Sequence, residues 1–312
     1  MRLDSDVDLF SKYVIETTDY FGIAKVYVEK DYWLVHILKT IFSNNDDYVF
    51  KGGTSLSKCF HLINRFSEDI DISYLTSYKE LGPSEINKRF KGITKAIKEN
   101  GLEITNKDKL RRSAFFNQFQ CPYPTALPSP QIENKIIIEL AGQTPSFPTE
   151  KRKIQSFIGE YLESIGRNDL VEKYDLGAFE ISVQKLERTV VDKTFALCDY
   201  YFTGKQRRHS RHIYDLFKIL TKVELNEEIA KLFHEVRKYR INNPVCPSSK
   251  NGVLLFELFN KIIVEQTYKN DFQTLTRPLL YEEIEYDDCV ETLKRIQEFL
   301  KQYSDIIDEP IS

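Results

Sequence analysis

The sequence offers no framework of zinc ligands or disulfides. Its five cysteines (59, 121, 198, 246 and 289) are odd in number, scattered and never spaced Cys-x-x-Cys. Neither a structural zinc site nor a secreted disulfide scaffold is therefore indicated. No apolar run approaches the roughly 20 residues that cross a bilayer. The first residues, MRLDSDVDLF, are acidic and hold no apolar signal core. There is no Gly-x4-Gly-Lys-Ser/Thr phosphate loop, no internal repeat, no low-complexity tract and no readable Ser-His-Asp arrangement. A strongly basic balance is missing too. The net charge is −3, which argues against a general nucleic-acid coat and leaves room for a local patch. These absences predict a protein of the reducing cytoplasm with no membrane partner. What is present is an ordinary globular composition, 41% hydrophobic and 29% charged over 312 residues. That is ample for one large or two ordinary domains.

Residues 48–74, YVFKGGTSLSKCFHLINRFSEDIDISY, carry the most information. A short apolar run, Tyr48 to Phe50, leads into Gly52-Gly53. Glycine there removes bulk that would keep a ligand from the backbone and permits conformations that a Cβ resists. Thr54 and Ser55 stand where an N-cap is expected, and Leu56, Cys59, Phe60 and Ile63 follow at helical spacing. The start of that helix would offer unpaired N–H groups to an anion. An ordinary tight strand-to-helix turn is the plain alternative. In Asp69-Ile70-Asp71-Ile72, polar and apolar residues alternate with period two, which predicts a strand. Ile70 and Ile72 then face the core, and the aspartates share the other face about 7 Å apart. A merely solvent-facing surface explains this poorly, because Asp is a weak strand former and like charges on one face repel. A divalent cation removes the difficulty. Oxygen ligands on a rigid strand suit Mg²⁺, or Mn²⁺, completed by substrate phosphates. Strand, glycine turn, helix and Asp-x-Asp strand in this order point to metal-dependent nucleotidyl transfer from an NTP.

Around this core the pattern predicts helices at 5–20 and 29–43, and another at 84–100 that begins after Pro83. Residues 102–140 look β-rich. Six of the eleven prolines fall in 121–148, which excludes long helices there. The strand in that region is KIIIEL, Lys135 to Leu140. After about 152 the pattern turns helical almost to the end: 153–163, 187–202, 211–222, 225–239, 253–265 and 283–302. The composition shift near 150 predicts a boundary between a lobe at 1–150 and a helical lobe at 151–312.

Three further features carry chemistry. Glu139 ends a nearly continuous apolar strand, which reads as buried and central, and a carboxylate there is costly unless paired or metal-bound. A strand-end residue reaching solvent or a lysine is an equal alternative. Lys193 has Val190, Ala196 and Leu197 at i±3 and i±4, beside the apolar stripe of its helix. It either snorkels or presents its cation to a phosphate. Lys205-Gln206-Arg207-Arg208-His209-Ser210-Arg211-His212 concentrates basic residues in a net acidic chain. It is a solvated loop, or an RNA contact through Lys205, Arg207, Arg208 and Arg211. Arg111-Arg112 beside Phe115-Phe116 would add charge and a stacking surface.

The strings FKGGTSLSK and RFSEDIDIS resemble the AbiEii-type nucleotidyltransferase toxins of the polymerase-β-like superfamily. EKDYWLVHILKTIF (29–42) looks like that family's lead-in helix, and LERTVVDKTFALCDYYFTGKQRRHSRHIYDLFKIL (186–220) like its second signature. The resemblance covers about a quarter of the chain. It implies an α+β fold: an N-terminal nucleotidyltransferase lobe with a mixed sheet flanked by helices, and an all-helical C-terminal lobe bringing Lys193 and Asp215 to the cleft. Asp69, Asp71, Lys193 and Asp215 are then catalytic. Asp69, Asp71 and Glu139 hold the metal, and Gly52, Gly53, Thr54, Ser55, Lys58 and Lys193 bind the nucleotide. Asp215 rests on the resemblance alone, since an i,i+4 pair with Arg211 also explains it. The implied acceptor is RNA, a tRNA 3′ end by likeness to the MenT group. The implied partner is a cognate antitoxin encoded nearby. Transfer to a protein or small molecule, and a non-catalytic nucleotide binder, are the other readings.

Overall fold

A computed structural model of the chain describes residues 1–43, 46–65, 67, 69–77, 80–111, 116–127 and 133–311. The architecture is α+β, and the chain divides into two compact units. The first comprises Met1–Cys59, Glu68–Pro145 and Thr149–Val183, and the second comprises Phe60–Ser67, Ser146–Pro148 and Gln184–Ser312.

The first unit holds helices α1 (Val7–Phe21), α2 (Lys25–Ser43), α3 (Gly52–Lys58), α4 (Pro83–Glu99), α5 (Phe157–Ser164) and α6 (Asn168–Lys173). Its strands are β1 (Tyr48–Lys51), β2 (Asp69–Tyr74), β3 (Phe116–Pro122), β4 (Lys135–Ala141), β5 (Thr149–Ile154) and β6 (Phe179–Gln184). They form one mixed sheet in the order β3-β4-β2-β1-β6-β5. β2 runs antiparallel to β1 and parallel to β4, and β6 runs parallel to β1 with Phe50 opposite Val183. One face of the sheet is core: Phe50, Ile70, Ile72, Ile136, Ile138, Leu140 and Phe119 are buried. α2 is buried on every side from Val28 to Leu38, so its polar residues must be satisfied internally. Glu29 accepts from the Thr125 hydroxyl and the Ala126 amide, each at 2.7 Å.

The predicted boundary near 150 does not coincide with the division into units. Residues 149–183 belong to the first unit and contribute two sheet strands, in a stretch the sequence pattern reads as helical. The signal was present in Phe179-Glu-Ile-Ser-Val-Gln, which alternates with period two. β4 is interior to the sheet by pairing, as predicted, but it is buried on one face only. Ile136, Ile138 and Leu140 are buried, whereas Ile137 and Glu139 are half-buried.

The second unit holds α7 (Leu186–Phe202), α8 (Arg211–Ile219), α9 (Glu227–Arg240), α10 (Leu255–Val264), α11 (Lys269–Asp271), α12 (Tyr286–Gln302) and α13 (Ser304–Ile307). α8 buries Ile213, Tyr214, Leu216 and Ile219. Asn226 caps α9 by accepting from the Ile229 amide at 3.2 Å, and Glu285 with Asp288 forms a capping box on α12. Among the described residues no helix is long and apolar enough to cross a membrane.

Candidate active site

The face of the first unit's sheet opposite its core carries a polar row. Lys51 on β1 lies opposite Asp71 on β2, Asp71 opposite Glu139 on β4, and Glu139 opposite Gln118 on β3. Directly opposed residues point to the same face, so these four side chains share it. Asp69 stands one step along, opposite Ile137. Both aspartates are half-buried, alternating with the fully buried Ile70 and Ile72. Gln118 donates from Nε2 to Glu139 Oε1 at 2.9 Å. The period-two reading thus places Asp69 and Asp71 together and brings Glu139 alongside Asp71. Lys51, which carries no motif of its own in the sequence, completes the row. Among the described residues no three His, Cys, Asp or Glu side chains converge as a ready metal cage.

The glycine turn is shaped by this row. Gly52 has φ +76°, in the left-handed region that disfavours a Cβ. A β-carbon there would meet Asp71 Oδ2 at 1.8 Å and Asp71 Cγ at 2.6 Å. The backbone therefore reaches the carboxylate because residue 52 has no side chain. The donor set fits a hard divalent cation: carboxylate oxygens on a rigid strand, with two supplied by β2 and the rest left to substrate and water.

α3 differs from its predicted form. It begins at Gly52 and ends at Lys58, so Phe60 and Ile63 lie beyond it. Its N-cap position is Lys51, and Thr54 and Ser55 lie inside the helix, buried. The Thr54 hydroxyl donates to Asp69 O at 2.6 Å, and the Ser55 hydroxyl to Gly52 O at 2.9 Å. These hydroxyls brace the turn and the aspartate strand. Lys58 is engaged inside the first unit. Its Nζ lies 2.8 Å from Asp31 Oδ1 and 3.9 Å over the Phe157 ring, and the side chain is 6% exposed. One turn of helix carries position 58 inward to α2 and α5, where its charge answers the buried Asp31.

The second unit brings Lys193 and Asp215 together. Lys193 Nζ donates to Asp215 Oδ2 at 2.6 Å, across α7 and α8. Asp215 also receives Arg65: Nε to Oδ1 at 2.7 Å and Nη2 to Oδ2 at 2.9 Å. All three side chains are buried, Asp215 completely. Burial alone would push the Asp215 carboxyl up, but Arg65 and then Lys193 outweigh it and hold it well below the usual carboxylate range. Lys193 is pushed down from the ordinary lysine value, by burial first and also by the Arg65 charge, against the pull of Asp215. Arg65 and Lys193 share one carboxylate, and burial more than charge lowers Lys193. Asp215 thus pairs with Lys193 and Arg65. Sequence reasoning assigns Arg65 no role; its signal there is its place at the head of RFSEDIDIS, four residues before Asp69.

The basic segment lies beside this trio. Lys205, Arg207 and Arg208 are exposed and Arg211 is half-buried. Asp271 pins the backbone, accepting from the Arg208 amide at 2.8 Å and the Ser210 amide at 3.0 Å. The His209 ring stacks on Tyr200 with centroids 3.4 Å apart, and His212 Nδ1 lies 3.5 Å from Lys193 Nζ. Burial, then Lys193, pushes His212 well below the ordinary histidine value, so it is neutral near pH 7. Arg112 and Phe115, considered for a second basic surface, lie outside the described residues; Phe116 is exposed.

A family model described as nucleotidyl transferase AbiEii toxin, type IV TA system, matches residues 36–301. No curated protein matches the chain. Two crystal structures of Helicobacter pylori proteins are similar to it over most of its length. JHP933 is 16% identical with a TM-score of 0.39, covering 89% of this chain and 94% of that one. A candidate nucleotidyltransferase is 16% identical with a TM-score of 0.44, covering 88% of this chain and 96% of that one.

Proposed function

This chain belongs to the AbiEii nucleotidyl transferase toxin family, and on that premise we propose that it transfers nucleotide from an NTP to RNA, a tRNA 3′ end foremost, in a metal-dependent reaction. The observation that carries the reading is the close approach of the Gly52 backbone to the Asp71 carboxylate, on a strand that also bears Asp69. A bare residue beside a carboxylate lets backbone amides and a carboxylate-held counter-ion come to one phosphate.

Asp69 and Asp71 are assigned as the ligands of Mg²⁺ or Mn²⁺, with Glu139 beside them. A metal held by these carboxylates would supply Lewis-acid activation of the attacking hydroxyl and charge for the leaving pyrophosphate. Gly52 and Gly53 offer backbone amides to the phosphates, and Thr54 and Ser55 hold that backbone in place. Lys193 supplies a cation for a substrate phosphate, with Asp215 orienting it. Such chemistry rests on positioning and charge neutralisation more than on covalent work by the protein. Lys205, Arg207, Arg208 and Arg211 are assigned to the RNA backbone.

The test is incubation with each labelled NTP and total RNA, with and without EDTA, in the wild type and in Asp71→Asn. Label should enter RNA only with metal and only in the wild type. Label on protein would move the acceptor to a side chain, and full transfer in EDTA or in Asp71→Asn refutes the metal assignment. In cells, the wild type should arrest growth when expressed alone and be neutralised by a product encoded beside it. Equal growth of wild type and Asp69→Ala/Asp71→Ala strains, with soluble expression shown, removes the toxin assignment and leaves the transferase one.

A further inference from the structure

Arg65 sits in no helix or sheet strand, yet it is buried and hydrogen-bonded. Its segment is held on both sides. The Asn64 amide donates to the Tyr214 hydroxyl at 2.8 Å, the Tyr281 amide donates to Asn64 O at 2.8 Å, and Arg65 forms an antiparallel bridge with Leu280. Tyr214 precedes Asp215 on α8, so the same turn of helix fixes the backbone of residue 64 and receives the side chain of residue 65. The guanidinium meets both oxygens of Asp215 in a planar two-bond fork, an arrangement that sets the orientation of a carboxylate as well as its charge. Asp215 Oδ2 is then the acceptor for Lys193 Nζ. The interactions therefore run from a pinned backbone, through a locked carboxylate, to the ammonium.

Charge leads to the same result. With Asp215 paired only to Lys193, the two would neutralise one another, and the lysine would have little to offer an incoming anion. With the Arg65 fork already on the carboxylate, Lys193 is the second cation on a single anion, in a site where water screens charge weakly. Among the described residues near Lys193, His212 is neutral and Arg211 is itself a cation.

We propose that Arg65 is a positioning residue: it locks and neutralises the Asp215 carboxylate, so that Lys193 is held in place with its positive charge left for a substrate phosphate. The role of Lys193 in this statement rests on the function proposed above; the control of Lys193 by Arg65 does not.

The experiment separates the two. Lysine labelled with ¹³C and ¹⁵N is incorporated into the full chain, the Lys193 signal is assigned with Lys193→Arg, and its titration is followed by NMR in wild type, Arg65→Gln and Arg65→Lys. Folding of each variant is checked by circular dichroism and thermal midpoint. Wild-type Lys193 should titrate below the ordinary lysine value. In Arg65→Gln its midpoint should move up, because Asp215 is left to Lys193 alone. In Arg65→Lys, which keeps the charge and loses the fork, the midpoint should stay near wild type. Transfer kcat in that variant should fall about 10- to 100-fold, with KM moving less. If Arg65→Gln does not fold, the Arg65→Lys kinetics decide. A Lys193 midpoint unmoved in folded Arg65→Gln, or wild-type kcat in Arg65→Lys, overturns the proposal. A wild type without transfer to any acceptor refutes the enzymatic reading, and the Arg65→Gln titration still decides whether Arg65 governs Lys193.

Discussion

Gly52 and Asp71 are packed so closely that a β-carbon on residue 52 would overlap the carboxylate, 1.8 Å from Oδ2. The strand and the turn are thus one device: the aspartate can occupy its place only because the turn is bare. Gly52→Ala should lose transfer activity by about 100-fold or more, since the carboxylate must shift by about an ångström or more. Its left-handed backbone should cost a further ~1–2 kcal/mol of stability. Gly22 is the control. It has a similar φ of +67°, and a β-carbon there would meet nothing within 4 Å, so Gly22→Ala should show the stability loss with normal activity. Denaturant unfolding and transfer rates on both variants check this; normal transfer in Gly52→Ala refutes the coupling.

The Lys193–Asp215 pair should respond asymmetrically to mutation. Asp215→Ala removes the carboxylate that two buried cations, Arg65 and Lys193, share and should destabilise by about 3–5 kcal/mol. Lys193→Ala leaves the Arg65 fork intact on Asp215 and should cost about 1 kcal/mol or less. It should nonetheless depress kcat/KM for NTP strongly. Equilibrium unfolding of the two variants decides, and equal losses would mean that Arg65 does not balance the carboxylate.

Acid should weaken the fold through its buried histidines. Burial, then Arg2, pushes His36 down from 6.5 to about 4, and burial, then Arg211, pushes His209 down from 6.5 to about 4. Because the folded midpoint lies below the unfolded one, the unfolded chain takes up protons first as pH falls. The contribution of each histidine is complete above about pH 6.5 and is lost as pH falls through about 4. Asp215 follows at lower pH, below the usual carboxylate range. Unfolding free energies measured across this window should fall with pH, and His36→Gln should flatten the slope. A slope unchanged in that variant would show that His36 is not protonated on unfolding.

The basic segment should carry RNA affinity without affecting NTP use. Lys205→Ser/Arg207→Ser/Arg208→Asn removes three exposed charges and leaves the Asp271 hydrogen bonds to the backbone. Asn tolerates the left-handed backbone of Arg208, whose φ is +72°. RNA affinity should drop, and the slope of its logarithm against log salt should shrink by about 0.7 for each phosphate no longer neutralised. Fluorescence titration over a salt series checks this. An unchanged slope would make the segment a solvated connection.

Local patterns were enough to place the aspartate strand, the glycine turn before it and the helices carrying Lys193 and Asp215, because period and punctuation are properties of neighbouring residues. The burial alternation of Asp69-Ile70-Asp71-Ile72 is what period two requires. The same pattern reading failed where an element's surroundings decide. Residues 149–154 and 179–184 became strands because a sheet edge was there to receive them, and strand preference depends on that context. Lys58 became a partner of Asp31 because its short helix turned it inward. Arg65 was illegible for a stronger reason. It meets Asp215 at a separation of 150 residues, and no local pattern encodes such a meeting. Whether a buried cation is spent on its neighbour or left for a ligand depends on how many charges the fold gathers around one carboxylate, and that number exists only in three dimensions.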